Sequence, residues 1–343
     1  MAPPACNPAR CPLCGEPNQC ALAGGNANQP CWCSGVRIAR ETLARIPSAC
    51  QGLACICPQC AGEHRPATTL RAARAPASIG VFDSGVGGLT VLRALHAQLP
   101  GVPLIYVADS AHAPYGDQSD AFILERSRQI SRFLIEAGAR LIVVACNTAT
   151  AAAIAALRAE FEMPFVGIEP GIKPALARSH NQRVGVMATP STLRSAKFRA
   201  LLNAHAAQTV PVLQPCPGLA DAVERGDLQA PDLQELVRQS CAPLRAADCD
   251  TVVLGCTHYP LIAAHIQTEL GPQVHLLDTA EPVARQAARL WTHGAHSATA
   301  APQIYTNGEI AVLRRMATLC GLDDAQVHNW PASIALSAAQ PNP

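Results

Sequence analysis

The sequence predicts an α/β protein: two similar parallel-sheet domains with a site between them, preceded by a small metal-stapled cysteine-rich module. Three observations carry this. From residue 78 onward, apolar runs of four to seven residues alternate with helix-length stretches of ten or more, the pattern of parallel sheets. Two of those runs, LIVVACNTAT and TVVLGCTHYP, end alike: a small residue, a cysteine, two polar residues, then a helix. And ten of the 16 cysteines fall within the first 60 residues.

Composition narrows the function classes. At 343 residues, 49% hydrophobic and 15% charged, the chain has the make-up of a folded protein of two domains plus an appendage. A net charge of +1 without a basic stripe argues against a nucleic-acid partner recruited by charge. No apolar run is long enough for a bilayer, so no membrane partner is expected. The start, MAPPACNPAR, has no basic flank followed by an apolar block. A secretory signal is therefore not expected, and the expected location is the cytoplasm.

In a reducing compartment a cysteine cluster reads as a metal site before it reads as disulfides. Cys11-Pro-Leu-Cys14 and Cys57-Pro-Gln-Cys60 share the C-P-x-C spacing, and Cys31-Trp-Cys33 and Cys55-Ile-Cys57 are tighter pairs. Such sets suit zinc held by four thiolates, and so short a segment needs a staple because it has little core. The candidate ligands are Cys11, Cys14, Cys20, Cys31, Cys33, Cys55, Cys57 and Cys60; Cys6 and Cys50 have no evident partner in the pattern. Arg10, Arg37, Arg40 and Arg45 are too few to grip phosphates.

Residues 61–77, with Pro66 and Pro76 and no apolar period, read as a linker. The body then opens. IGVF at 79–82 leads to Asp-Ser-Gly and a helix LTVLRALHAQL; PLIYVAD at 103–109 leads to a polar loop and a helix near 119–137. RLIVVA at 140–145 precedes Cys-Asn-Thr and a helix at 149–161; RVGVMAT at 183–189 precedes Pro-Ser-Thr and a helix to about 203; TVVLG at 251–255 precedes Cys-Thr-His and a helix at 260–270. Residues 331–343 have little pattern and read as a disordered tail.

Active groups in parallel sheets lie beyond the carboxyl ends of the strands. Cys146 and Cys256 are placed there, each in a loop before a helix. Amide N–H groups and the helix dipole stabilise a thiolate in such a loop. A free cysteine titrates near ~8.5, so a modest depression would give a working thiolate fraction at neutral pH. Two thiols approaching one carbon from opposite sides can take a proton from one face and return another to the opposite face. The Gly85-Val86-Gly87-Gly88 run lacks the G-x-G-x-x-G spacing, which argues against a dinucleotide.

Together, IGVFDSGVGGLTVL at 79–92, APYGD at 113–117, ACNTAT at 145–150 and LGCTHYPL at 254–261 resemble the glutamate racemases of the aspartate/glutamate racemase superfamily. The resemblance covers about residues 78–330. It implies racemisation of glutamate with no catalytic cofactor, Cys146 deprotonating D-glutamate and Cys256 deprotonating L-glutamate. It assigns assisting roles to Asp83, His258 and Glu224, and substrate contacts to Asp83, Ser84, Tyr115, Gly116, Asn147, Thr148, Thr189, Thr192, Thr257 and His258. It also implies D-glutamate supply for peptidoglycan synthesis, a homodimer and a peptidoglycan-precursor activator. The alternatives are a racemase of another amino acid such as aspartate, or a catalytically silent binding protein that docks through its metal module. CPLCG, the NQC at 18–20, CWC and CICPQC resemble the bacterial cysteine-rich module named for its Cys-Trp-Cys sequence, over roughly residues 9–62. On this reading the module spans 1–62, the linker 63–77, the first racemase domain 78–175 with 283–330, and the second 176–282.

Overall fold

The computed structural model describes residues 76–205, 210–294 and 301–330 of the α/β body. Of the N-terminal segment it describes residues 6–13, 17, 18, 20, 38, 42, 43, 45–57, 60 and 61. Residues 63–75 of the expected linker, the expected tail at 331–343, and Cys14, Cys31 and Cys33 lie outside the described residues. The chain divides into two compact units, Met1–Ala73 and Arg74–Pro343.

Ten strands are described in the body, all paired in parallel within two sheets. They are β1 (Ser78–Asp83), β2 (Leu104–Ala108), β3 (Ala139–Val144), β4 (Phe165–Gly167), β5 (Val184–Ala188), β6 (Val212–Pro215), β7 (Thr251–Leu254), β8 (His275–Leu277), β9 (Gln303–Thr306) and β10 (Gln326–Asn329). The first sheet has the order β10-β9-β2-β1-β3-β4 and the second β6-β5-β7-β8. The second sheet is thus inserted between β4 and β9 of the first. The chain returns through the helix Ala280–Leu290, whose Ala280, Val283, Ala284 and Ala287 join Leu89, Leu92 and Leu95 of the helix Leu89–Gln98 in one core cluster.

The five apolar runs of the sequence are β1, β2, β3, β5 and β7. Four of them are buried along their whole length and β3 all but so, as central parallel strands covered on both faces must be. The five strands that the runs do not reveal are weaker. β4 and β8 have three residues each, β6 and β9 alternate in burial, and β10 is half-exposed at an edge. The helix Asp120–Glu136 starts at Ser119, whose Oγ accepts the Phe122 N–H, and buries Ile123, Ser127, Ile130 and Leu134 along one stripe.

Two expected helices differ in detail. The one after β5 is two helices, Pro190–Arg194 and Ala196–His205, because Ser195 is extended and its Oγ accepts the Phe198 N–H, starting a new helix. The one after β7 is a 3-10 turn, Tyr259–Ile262, followed by an α-helix, Ala263–Leu270.

The N-terminal unit has a small apolar centre of Cys11, Ile56, Cys57 and Ala61. Asn18 organises it: its Nδ2 donates to the Pro8 and Cys55 carbonyls, and its Oδ1 accepts the Cys20 N–H. Cys6 and Cys50, which the spacing pattern left without partners, are joined by a disulfide. This corrects the reading of the cluster as thiols alone: a separation of 44 residues hides the pair from any local motif.

Candidate active site

Every side chain that the sequence assigns to chemistry in the body, Glu224 apart, lies in or beside a loop beyond the carboxyl end of a parallel strand. Asp83 ends β1, Cys146 follows β3, Thr189 follows β5, Cys256 follows β7, and the loop to Tyr115 follows β2. The two sheets therefore turn their reactive ends toward one another.

Cys146 is the N-cap of the helix Asn147–Glu160, and its Sγ accepts the Ala149 N–H at 3.4 Å. Its Sγ also lies 3.8 Å from the Ser84 hydroxyl, which is 3.4 Å from Asp83 Oδ1. Asp83 is linked to the sulfur through Ser84. Its carboxylate also accepts the Gly85 N–H at 2.9 Å in an Asx turn, and the Thr257 hydroxyl at 2.9 Å from the second lobe. The expected depression of the thiol pKa is reversed. Burial and then the Asp83 charge push Cys146 up to about 12, outweighing the Ala149 and Ser84 hydrogen bonds. Burial raises Asp83 as well, against the pull of His258, Gly85 and Thr257.

Cys256 is held differently. No regular helix begins behind it, and its Sγ lies 3.7 Å from His258 Nδ1. His258 Nε2 is 2.8 Å from Glu224 Oε2, which also accepts the Val86 N–H at 2.8 Å, and Glu224 Oε1 accepts the Ser110 hydroxyl at 2.6 Å. Burial pulls the imidazole pKa down, but its contacts with Cys256 and Glu224 together outweigh that and hold it well above its ordinary value. Folding gains stability from that proton below about pH 6.5 and loses it as pH rises through the raised folded value. The imidazolium thus lies against the Cys256 sulfur, while burial favours the protonated form of Cys146. Close packing also explains the glycines after β1. A Cβ on Gly85 would fall 2.1 Å from Glu224 Oε2, and one on Gly87 would fall 2.7 Å from His258 Nδ1.

The hydroxyls of Thr148, Thr189 and Thr192 form a triangle across the lobes with edges of 3.0–3.3 Å. Thr189 also caps its helix through the Thr192 N–H. Gly116 approaches Thr189 so closely that a Cβ would meet it at 3.3 Å. Asn147, expected as a donor, buries an Oδ1 with no hydrogen-bond partner, and so adds an acceptor. Asn147, Cys256, Thr257 and Thr279 line a small void of about 10 Å³, on the order of what a single water needs.

Four residues that the sequence reading missed support this site. Ser110 holds Glu224, as described. Asp109 accepts from Arg126 Nε and Nη2 (2.8 and 2.6 Å), the Tyr115 hydroxyl (2.6 Å) and Asn307 Nδ2 (2.6 Å), fastening the Tyr115-Gly116 loop. Burial raises the Asp109 pKa, but hydrogen bonds from His112, Arg126 and Tyr115 and the Arg126 charge bring the net shift below the usual carboxylate value. Only the A-D-S step at the end of β2 hints at this hub in sequence, because Asn307 is 198 residues away. Arg126→Met strands a fully buried carboxylate and is expected to cost about 3–5 kcal/mol of stability. The urea midpoint, with an unchanged slope, measures this; a loss below about 1 kcal/mol would mean the pair is not structural.

Residues 79–287 match the Asp/Glu/Hydantoin racemase family, and residues 11–62 match the Cysteine-rich CWC family. A glutamate racemase of Ectopseudomonas mendocina is 46% identical over 258 residues, covering 74% of this chain and 97% of its own. The crystal structure of a glutamate racemase isoform from Bacillus anthracis superposes with a TM-score of 0.67 at 31% identity, over 75% of this chain and 98% of that one. The structure of Escherichia coli glutamate racemase in complex with L-glutamate and the activator UDP-MurNAc-Ala gives a TM-score of 0.66 at 30% identity, over 74% and 98%. With its sheet order, its two strand-end cysteines and these likenesses in accord, the chain belongs to the glutamate racemase family.

Proposed function

We propose that this chain interconverts L- and D-glutamate by proton transfer between two sulfurs, with no cofactor in the catalytic step. The observation that carries the reading is the pair Cys146 and Cys256, one at a strand end of each sheet and each buried with its own hydrogen-bonding partners. One thiolate takes the α-proton from one face of the carbon, and the other thiol gives its own proton to the opposite face. One proton enters and one leaves, so the pair ends with its protonation states exchanged. L-Glutamate is assigned to Cys256, whose neighbouring imidazolium suits a thiolate, and D-glutamate to Cys146.

The α-proton is a very weak acid, and the negative charge that develops on the substrate carboxylate needs fixed donors in a dry site. Ser84, Thr257 and the Tyr115-Gly116 backbone supply donors, and Asn147 Oδ1 an acceptor for the ammonium. The triangle of Thr148, Thr189 and Thr192 has the hydroxyls for the side-chain carboxylate. Asp83, His258 and Glu224 act on the sulfurs from behind.

The test is circular dichroism of purified chain with L- or D-glutamate, and separately with L-aspartate. Expected is decay of the signal to zero from either glutamate enantiomer, with aspartate turned over at least about 100-fold more slowly, the scale set by leaving a buried polar site unpaired. Turnover of aspartate at the glutamate rate would move the substrate assignment to the wider family.

Kinship and the sequence resemblance extend the proposal to a cytoplasmic homodimer that supplies D-glutamate for peptidoglycan and responds to a wall precursor of the kind bound by the E. coli relative. Among the described residues no helix is long and apolar enough to cross a membrane. For the N-terminal module the proposal is a bound zinc ion.

A further inference from the structure

Of the eight cysteines that spacing offers as metal ligands, the five described, Cys11, Cys20, Cys55, Cys57 and Cys60, are not equivalent. The sulfurs of Cys11, Cys57 and Cys60 all lie within 4.8 Å of one another, with Cys11 and Cys57 buried. Tetrahedral zinc–thiolate bonds of about 2.3 Å put neighbouring sulfurs about 3.8 Å apart, a spacing that fits a trio held within that limit. A disulfide joins two sulfurs, whereas a mutual trio is the arrangement a metal uses.

A second observation fits the same use. The Cys57-Pro-Gln-Cys60 turn is closed by the Ala61 N–H donating to the Cys57 carbonyl at 3.0 Å. Within it the Cys60 N–H points at Cys57 Sγ at 3.5 Å.

Among the described residues Cys20 and Cys55 are not members of that mutual trio. Their sulfurs are 3.7 Å from each other, and the Asn18 side chain ties their backbones together. Cys6 and Cys50 are consumed by their disulfide.

We infer that the N-terminal module holds one soft divalent ion, zinc by ligand type, on the thiolates of Cys11, Cys57 and Cys60, and that Cys20 and Cys55 form a separate thiol pair outside its coordination shell. Three thiolates leave one position of a tetrahedral ion to a further donor. The inference rests on the reading of the module as a zinc binder and adds which sulfurs carry the ion.

The experiment uses full-length protein purified under reducing conditions. Zinc content is measured directly, and cobalt(II) is titrated into metal-free protein to read thiolate charge-transfer and d–d bands. Expected is about one equivalent per chain with a tetrahedral cobalt spectrum. Cys57→Ser or Cys60→Ser should weaken binding by about tenfold or more, with Cys20→Ser and Cys55→Ser unchanged. Alkylation of the wild type, mapped by peptide mass, covers any variant that fails to fold. In the zinc-loaded chain Cys11, Cys57 and Cys60 should react about tenfold more slowly than after chelation. A wild-type chain that takes up neither zinc nor cobalt after reduction overturns both the zinc reading and the ligand set. One bound equivalent that survives Cys57→Ser and Cys60→Ser, or that protects Cys20 and Cys55 instead, overturns the ligand set alone.

Discussion

Cys146→Ala and Cys256→Ala will each lower racemisation in both directions by about 10³-fold or more, since every turnover uses one sulfur as base and the other as acid. The double variant will be little worse than either single one, because the pair works as a unit. Isotope exchange separates the two roles. In deuterium oxide, Cys146→Ala keeps a base at Cys256 and should still exchange the α-proton of L-glutamate, with retention, while leaving D-glutamate untouched. Cys256→Ala should do the reverse. Proton NMR of the α-position reads both. If both variants exchanged the same enantiomer, the facial assignment would fail. If either kept the wild-type rate, the two-sulfur mechanism would fail with it.

The sulfurs were legible in sequence because a buried parallel strand is a plain apolar run, and the residues just beyond its carboxyl end face the site. Cys146 and Cys256 are found this way; Asp83, Thr189 and His258 are assigned through the family resemblance and lie at or just beyond strand ends too. Their protonation was not legible. The loop before a helix suggests a lowered thiol pKa at Cys146, but complete burial beside Asp83 drives it the other way, to about 12. Burial is a property of the finished fold. The same holds for Glu224. Its helix Leu219–Glu224 gives no local sign that one carboxylate spans to Val86, 138 residues away, and to Ser110, 114 residues away. The N-terminal cysteines show the limit most sharply. C-P-x-C spacing finds the Cys57–Cys60 turn, yet Cys11 with that turn, Cys20 with Cys55, and Cys6 with Cys50 are pairings made by chain reversal.

Loss of the imidazole behind Cys256 will separate the two directions in one kinetic constant and not in another. His258→Asn removes the group that complements a negative Cys256, and kcat from L-glutamate should fall about 100-fold, within the usual range for an assisting acid–base group. Among the described residues no histidine is hydrogen-bonded to Cys146; its partners are Ser84 and the Ala149 amide. The fall in kcat from D-glutamate should therefore be smaller. Thermodynamics ties the ratio, because the enantiomers have equal free energy in water and kcat/KM must stay equal in both directions. The ratio of the KM for L-glutamate to that for D-glutamate must then fall, whereas a merely structural lesion would lower both directions alike. The pH profile adds a second readout. In the wild type, Cys256 and Glu224 outweigh burial and hold the His258 proton above the ordinary imidazole range. The kcat from L-glutamate should thus persist through neutrality and decline only as pH climbs through that raised value. In His258→Asn that alkaline limb should vanish from the L direction. An unchanged limb would place the titrating group elsewhere.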